Sequence, residues 1–270
     1  MTSLNRLTAL ERVRDWAGIT TTNDDVLLTR LIDEMSRFIL SYIQRPTLFQ
    51  NSFSDTYDGA GHQVQTLRHW PVLSVSSVTV NDINIVAASG TTGSGFVTEP
   101  WDGFPPGRPQ SVALRGYEYC RGYSNVKIVY TAGFIITHEA HTVPASGNYT
   151  VAVDAPHGSW GSDQGVTYAT GVPLTLVTSS PAVGQYTLTG CMYGFAAADA
   201  NAGVLISYSY IPADIEHACM EMVGERYRYK NRIGEISKSL GGQETIAFSQ
   251  KAMPDYIRTL LQPYRRVVLV

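Results

Sequence analysis

The sequence predicts an α+β protein with a helical core from its N- and C-terminal segments, a β-rich middle and an inserted small β-sandwich or β-barrel module. Apolar residues recur at steps of three and four near both ends of the chain, which is typical of amphipathic helices. Short alternating segments separated by turn residues fill the middle. Only 16% of the 270 residues are charged, which favours short strands over long helical bundles.

Two helices are predicted near the N-terminus. The first spans 8–17, because Thr8 and Glu11 have the spacing of a capping box. The second spans 24–44 and ends before Pro46, since a proline disfavours helical angles in the residue that precedes it. Its apolar residues follow at helical steps and should form one buried stripe. The stripe comprises Leu28, Leu31, Ile32, Met35, Phe38, Ile39 and Tyr42.

Short strands are predicted throughout 49–134. The segment Val72–Val80 ends in alternating apolar and polar residues, and 126–130 alternates as well. Asn81 and Asp82, which follow the first of these segments, are typical turn residues. This part of the chain should therefore be the β-rich middle of the fold.

A charge-poor stretch over 137–206 predicts a separate β-module. Its strand candidates alternate with turn residues at intervals that suit a small sandwich or barrel. These candidates are 149–153, 166–168, 174–177, 186–188 and 193–195. The remaining residues, 1–136 plus 207–270, would form the core. Two more helices are predicted there, over 212–231 and 254–264, from apolar stripes and charges that complement the helix dipole.

The composition argues against several classes of protein. The formal net charge is −3, so a free-standing nucleic-acid binder driven by phosphate neutralisation is not expected. The three cysteines are far apart and predict neither a disulfide framework nor a CxxC zinc site. No apolar run is long enough to span a membrane, and the N-terminus lacks the apolar region of a signal peptide. We therefore expect a soluble chain assembled in a cytoplasm, without a membrane partner.

Two weak motifs have spacings related to those of metal or catalytic sites. His138 and His141 are three residues apart before Pro144, whereas the helical zinc-protease pattern needs a spacing of four, so solvated loop histidines are the favoured interpretation. Ser124 and Lys127 have the spacing of a Ser-x-x-Lys acyl-transfer motif, but a strand would point them to opposite faces. The sequence predicts no active site, metal site or cofactor.

Two other groups of residues carry alternative interpretations. Asp163 and Asp199 in the module are candidate calcium ligands, but no dense Asp/Asn loop surrounds them and turn capping is favoured. A basic run with interleaved tyrosines lies near the end of the helix predicted over 212–231. It fits a solvated helix end or a contact between proteins better than nucleic-acid recognition. Its basic residues are Arg226, Arg228, Lys230 and Arg232.

Four segments taken in order resemble the head–tail connector (adaptor) proteins of tailed bacteriophages. They are 8–18 followed by 24–28, then 67–80, 129–134 and 212–218. In that family the third segment runs within a few residues into the fourth. Here the two are separated by the β-module, which we interpret as an insertion.

The resemblance implies a structural virion protein without enzymatic activity. Such connectors form a ring, commonly of twelve subunits, beneath the portal protein at the capsid vertex. The ring extends the DNA channel, lets DNA pass without sequence recognition and joins the capsid to a neck or tail-completion protein. Localisation in the virion neck after assembly in the host cytoplasm is therefore expected.

The resemblance also suggests two contact surfaces. The basic run is the candidate oligomer interface. The terminal segment is the candidate portal contact, because an apolar tail behind a basic pair gains little from remaining unpartnered. Its residues are Tyr264, Arg265, Arg266, Val267, Val268, Leu269 and Val270.

Two other functions are compatible with the sequence. The inserted module could be a glycan-binding or decoration module anchored to the particle, which an exposed cluster of Trp160, Tyr168 and Tyr193 would favour. A hydrolase site could be assembled from distant residues, which a pocket joining His138 or His141 to a carboxylate and a nucleophile would favour.

Overall fold

The computed structural model describes residues 6–100, 110–230, 237–240, 244–247 and 253–266, and its fold is of the predicted α+β class. The helices in these ranges are α1 (Leu10–Ala17), α2 (Asp25–Ile43), α3 (Ala213–Tyr229) and α4 (Asp255–Leu261), with 3-10 turns at Ala197–Asp199 and Gln262–Tyr264. The strands are β1 (Asn51–Gly59), β2 (Val64–Thr66), β3 (Val72–Val80), β4 (Ile83–Ile85), β5 (Gly95–Glu99), β6 (Ser111–Arg115), β7 (Gly122–Ala132), β8 (Ile135–Thr142), β9 (Thr150–Ala152), β10 (Gly158–Tyr168), β11 (Thr175–Leu176), β12 (Gln185–Thr189), β13 (Met192–Phe195), β14 (Gly203–Pro212), β15 (Ser237–Leu240) and β16 (Glu244–Ala247).

The strands form several small sheets. One has the order β1-β7-β3-β4 and another the order β2-β6-β5. Two more have the orders β10-β14-β8 and β11-β12-β13-β9, and β15 pairs with β16 as a hairpin. Among these named strands, only β11 and β12 pair in parallel. Consecutive strands pair antiparallel in β3–β4, β5–β6 and β12–β13, whereas pairs such as β1–β7 and β10–β14 join strands far apart in the sequence.

The chain divides into two compact units. The helical unit comprises Met1–Pro46 and Ala213–Arg266, and the β unit comprises Thr47–Pro212. This division differs from the predicted one, because 49–134 lies in the same unit as 137–206. The predicted boundaries at 136/137 and 206/207 fall inside β8 and β14, whose mutual pairing continues across both positions.

The helical unit buries the apolar stripes of its helices. Ile32 and Ile39 of α2 are buried, as the stripe predicts, but Phe38 is 39% exposed. The predicted stripe of α3 is buried throughout; it comprises Ile215, Ala218, Cys219, Met222 and Val223. From α4, Ile257 and Leu261 are also buried. Each large apolar side chain buried in this way contributes roughly 1.5–3 kcal/mol.

The capping box predicted at Thr8 is wrong. The α1 helix begins at Leu10, and its N-cap residue Ala9 supplies no side-chain hydrogen bond. The Thr8 side chain is buried and its hydroxyl donates to Glu216 Oε1 over 3.3 Å. Capping-box spacing describes local sequence only, whereas this hydroxyl is used by α3, more than two hundred positions away. At the other end of α1, Gly18 adopts the expected left-handed conformation with a φ of 67°.

The β unit confirms the alternation predicted for Val72–Val80. Val78 and Val80 are buried, and Thr79 between them is only partly buried. Asn81 and Asp82 have φ values of 50° and 63°, which a tight hairpin between β3 and β4 requires. The core of this part of the unit is formed by the inward faces of β3, β6 and β7.

Two buried tyrosines fix the segment between β2 and β3. The hydroxyls of Tyr57 and Tyr130 donate to Asp55 Oδ2 over 3.1 and 2.7 Å. The same hydroxyls accept the backbone N–H groups of Arg68 and His69. Burial raises the pKa of Tyr57 and of Tyr130, so both remain protonated donors. The 67–80 segment is therefore held against β1 and β7 by its backbone as well as by its side chains.

Candidate interaction surfaces

The terminal segment begins with an anchored residue. Tyr264 is only 5% exposed, its hydroxyl donates to Asp214 Oδ2 over 3.1 Å, and its carbonyl accepts Arg45 Nε over 2.8 Å. A side chain held in this way presents little of its surface while the helical unit is folded. Within the subunit Tyr264 thus fixes the position of the residues that follow, and its predicted contact with a partner stays a prediction.

Two arginines follow this anchor at the surface. The guanidinium of Arg265 lies 5.3 Å from the ring centroid of Tyr42, and the backbone N–H of Arg266 donates to the Ile43 carbonyl over 2.9 Å. Arg265 is exposed and Arg266 is partly buried. The segment thus follows the C-terminal end of α2 and presents two positive charges. The other four predicted contact residues, Val267, Val268, Leu269 and Val270, lie outside the described residues.

The basic run at the end of α3 is partly used within the subunit. Lys230 Nζ lies 3.0 Å from Asp24 Oδ2, to which Tyr227 also donates over 2.6 Å. The hydrogen bond from Tyr227 and, to a smaller extent, that from Lys230 lower the pKa of Asp24. The hydrogen bond to Asp24 raises the pKa of Lys230. Arg226 and Arg228 are exposed and remain candidates for an oligomer interface, whereas Arg232 lies outside the described residues.

The helical unit also has exposed apolar side chains. Val26 is 85% exposed, Leu27 37% and Phe38 39%, all on α2. Leu27 and Phe38 are eleven positions apart, so they lie on the same face of the helix. Trp16 of α1 is 46% exposed and packs edge-on against His217 with ring centroids 5.1 Å apart. We refer to Leu27 and Phe38 as the α2 apolar face.

The aromatic residues named for a glycan surface do not form one. Tyr193 is fully buried, and its hydroxyl accepts Trp160 Nε1 over 3.2 Å. Tyr168 is partly buried and donates to Asp199 Oδ1 over 2.6 Å. These side chains are hydrogen-bonded inside the β unit rather than gathered on an exposed face.

The two aspartates considered as calcium ligands bind tyrosine hydroxyls instead. Asp163 Oδ2 accepts Tyr186 over 2.6 Å, and Asp163 Oδ1 accepts Tyr193 over 3.0 Å and the Gly165 N–H over 3.1 Å. Burial raises the pKa of both tyrosines, so they stay protonated and keep donating. The Gly165 contact is a local cap of the predicted kind, but the tyrosine bonds were not predicted because they join distant strands.

The loop predicted around His138 and His141 is wrong, because both residues lie in β8. The β-branched residues Ile135 and Ile136 were the sequence signal for this strand. His138 has a φ of 58° and lies at a register shift opposite Ser207. The two histidines do not come together: His141 Nε2 instead lies 2.5 Å from Glu139 Oε1.

Glu139 is the centre of a small polar cluster in the β unit. Its Oε1 accepts the Asp154 N–H over 2.9 Å, and its Oε2 accepts the Tyr208 hydroxyl. Burial of the carboxylate works to raise its pKa, but the hydrogen bonds from Tyr208, His141 and Asp154 outweigh it and the pKa of Glu139 is lowered. Ligand atoms of Glu139, His141 and Asp154 all lie within 4.8 Å of one another. Sequence reasoning missed Glu139 and Asp154, which only the fold brings together.

A cleft of about 550 Å³ in the β unit is lined by residues of β1, β2 and β7. Its lining includes Asp58, Arg68, Tyr123 and Ser124, but neither His138 nor His141. Ser124 and Lys127 both lie on β7, as the strand interpretation of their spacing requires. The histidine-based hydrolase arrangement is therefore not present in this cleft.

Among the helices that the structure describes, none is long and apolar enough to cross a membrane.

Two family models match separate parts of the chain. The model described as phage gp6-like head-tail connector protein matches residues 8–98, and the model described as head completion protein matches residues 167–267. A solved structure described as "Neck of empty GTA particle computed with C6 symmetry" is 15% identical, with a TM-score of 0.41; the match covers all of this chain and 95% of the other. A comparison with curated proteins finds no match.

The two family models both describe structural components of the junction between a phage head and its tail. They confirm the resemblance drawn from the four sequence segments, three of which lie within the matched ranges. The chain is thus similar to phage head–tail connector proteins over residues 8–98 and to head completion proteins over residues 167–267.

Proposed function

We propose that this chain forms a ring under the portal protein of a tailed phage, extends the DNA channel and joins the capsid to the neck or tail. The observation that carries the proposal is the pair of family matches, one to a head–tail connector and one to a head completion protein. The helical unit, which joins both ends of the connector-like sequence, is the proposed ring-forming core. The β strands inserted between the third and fourth resemblance segments form the proposed accessory module, located in the virion neck.

The proposed contact between subunits uses the α2 apolar face together with Arg226 and Arg228. Large apolar side chains that stay exposed on a helix are typical of interaction surfaces when they cluster. The two exposed arginines would select the neighbour by charge. Lys230 is not assigned to this contact, because its charge is paired with Asp24 within the same subunit.

The proposed portal contact begins at Arg265. Tyr264 fixes the segment, Arg265 and Arg266 supply positive charge for an acidic partner surface, and residues 267–270 add apolar area. Repetition around a ring multiplies a modest contact, so each copy needs only a weak interface. A net charge of −3 per subunit would let DNA pass without adhering to the channel.

Mass measurement of the full chain, alone and mixed with portal protein, tests the ring. The expected species is a closed ring of about twelve subunits, formed alone or on the portal. A Phe38→Asp variant should stay folded and fail to assemble, whereas Val183→Asp, which changes an exposed apolar residue of the β unit, should assemble normally. A strictly monomeric chain in the presence of portal would contradict the proposal.

Charge reversal tests the portal contact separately. The Arg265→Glu, Arg266→Glu double variant should lose portal binding while keeping its fold. The matched control is Arg121→Glu, Lys127→Glu, which makes the same change in net charge at exposed positions of the β unit. Equal loss of binding in both double variants would show that only total charge matters and would remove the assignment of the terminal segment.

A further inference from the structure

The cluster around Glu139 has the composition and the layout of a metal site. Glu139 and His141 are two residues apart on β8, so their side chains leave the same face of the strand. Asp154 follows β9 in a different sheet, and its own N–H donates to Glu139 Oε1. One imidazole nitrogen and two carboxylates therefore converge from two sheets of the β unit.

The two oxygens of the Glu139 carboxylate have different hydrogen-bond partners. Tyr208 donates to Oε2, whereas Oε1 faces His141 and Asp154. A hydroxyl that holds one oxygen of a ligating carboxylate is the usual outer partner of a metal ligand, since it fixes the direction of the other oxygen. The cluster is thus oriented by a residue of a third strand, β14.

The spacing of the ligand atoms permits a shared ion after small side-chain movements. The three atoms lie within 4.8 Å of one another. An ion bound at about 2.0–2.2 Å from each would separate His141 Nε2 and Glu139 Oε1, which lie 2.5 Å apart in their hydrogen bond, and would take the place of that bond. Glu139 and His141 are partly buried, with side chains 13% and 15% exposed, while Asp154 is exposed. Access from solvent is therefore available on the Asp154 side, where water can complete the coordination.

We propose that Glu139, His141 and Asp154 bind a divalent transition-metal ion of the zinc class. The ion replaces the proton that His141 Nε2 and Glu139 Oε1 share, and that proton is released to solvent. Bound there, the ion joins β8 to the loop after β9 and so fastens two sheets of the β unit to each other. Mixed imidazole and carboxylate ligands suit zinc better than calcium or magnesium, which prefer oxygen ligands alone. The site is independent of ring assembly.

Zinc chloride and cobalt chloride are the probes for this site. The experiment uses the full chain without an affinity tag, with Cys120 and Cys191 replaced by Ser because these exposed thiols could also bind zinc. One equivalent of zinc should remain bound after dialysis, and zinc should raise the thermal unfolding midpoint. The cobalt complex should show visible d–d bands without a thiolate charge-transfer band.

Variants identify the ligands. His141→Ala and Asp154→Asn should abolish the zinc-induced rise of the midpoint, and Tyr208→Phe should weaken zinc binding by about 10- to 100-fold. His138→Ala is the matched control, since it removes the neighbouring exposed histidine of the same strand. Asp154 is exposed, so its variant should fold even if His141→Ala does not. Failure of the cysteine-free chain to retain zinc, or equal retention by the Asp154→Asn and His138→Ala variants, would overturn the proposal.

Discussion

Thr8 and Glu216 are 208 positions apart in the sequence, and the Thr8 hydroxyl donates to Glu216 Oε1 over 3.3 Å. The other oxygen of the carboxylate lies 2.8 Å from the Arg12 guanidinium. The Glu216 side chain is only 6% exposed, so these two groups supply its hydrogen bonds in place of water. The first and last of the four resemblance segments are thus joined by one buried carboxylate.

Removal of that carboxylate should destabilise the helical unit. Glu216→Ala leaves the buried Thr8 hydroxyl without its acceptor and Arg12 without its partner, so we expect a loss of about 1–3 kcal/mol in the free energy of unfolding. Urea unfolding followed by far-UV circular dichroism measures it. Glu11→Ala, an exposed glutamate of α1, is the control and should change stability by less than about 0.5 kcal/mol. A larger effect at Glu11 would restore the capping-box interpretation.

A side chain at Gly133 should be poorly tolerated. Gly133 has a φ of 155°, and a Cβ there would lie 2.5 Å from the backbone nitrogen of Gln50. Its N–H donates to the Pro71 carbonyl over 2.9 Å, so the backbone cannot easily move away. Gly133→Ala should therefore lower the unfolding free energy by about 1–3 kcal/mol, measured by chemical denaturation. An unchanged midpoint would mean that the Gly133–Gln50 approach is not tight.

Replacing Gly224 with alanine should change the free energy of unfolding in the opposite direction. Gly224 lies inside α3, and a Cβ there would make only an ordinary contact, 3.9 Å from Trp16 Cδ1. Alanine restricts the unfolded chain and favours the helix, so Gly224→Ala should stabilise the protein by about 0.5–1 kcal/mol. Comparing its denaturation midpoint with that of Gly133→Ala separates local geometry from the general effect of replacing glycine. Destabilisation by Gly224→Ala would show that the α1–α3 contact has no room for a methyl group.

The contribution of Asp24 to the stability of the fold should depend on pH. Its pKa in the folded chain lies below the ordinary value of 3.8, because Tyr227 and Lys230 donate to its carboxylate. A carboxylate with a lowered pKa stabilises the fold above its unfolded-state pKa and loses that contribution as the pH falls through the folded value. Asp24→Asn should therefore be less stable than the wild type near neutrality, and the difference should shrink in acid.

Thermal unfolding midpoints of the wild type and of Asp24→Asn, recorded from about pH 6 to about pH 2, test whether their difference shrinks in acid. The control is Asp15→Asn, an exposed aspartate of α1 for which the described residues supply no side-chain partner. A difference between wild type and Asp24→Asn that stays constant with pH would contradict the role of the charged carboxylate.

The parts of the fold that the sequence predicts are those specified by local periodicity. The helices α2 and α3 and the strand β3 lie within two residues of their predicted bounds, because each carries a repeated apolar pattern with clear end signals. The sequence places β1 only within a generally β-rich region, and it predicts a loop where β8 lies. Their residues are mostly polar or exposed, so these strands depend on pairing with β7 and β14 rather than on their own pattern.

The candidate sites show the same limit. Exposure of Arg226 and Arg228 follows from their place at a helix end, and the structure agrees with it. The buried Tyr264 is hydrogen-bonded to Asp214, which is 50 positions away in the sequence. Lys230 pairs with Asp24, which is 206 positions away. Such contacts have no signature in a local stretch of sequence. Glu139, His141 and Asp154 converge for the same reason, through sheet topology.

The helical unit is made from the two ends of the chain, and this has a consequence during translation. The ribosome releases α1 and α2 first, but α3 and α4 exist only after the β unit has been synthesised. Short helices without their packing partners are only marginally stable in water. A polypeptide that is cut short therefore carries two helices with uncovered apolar stripes, which cellular proteases recognise. Only a chain translated through α4 can complete the helical unit.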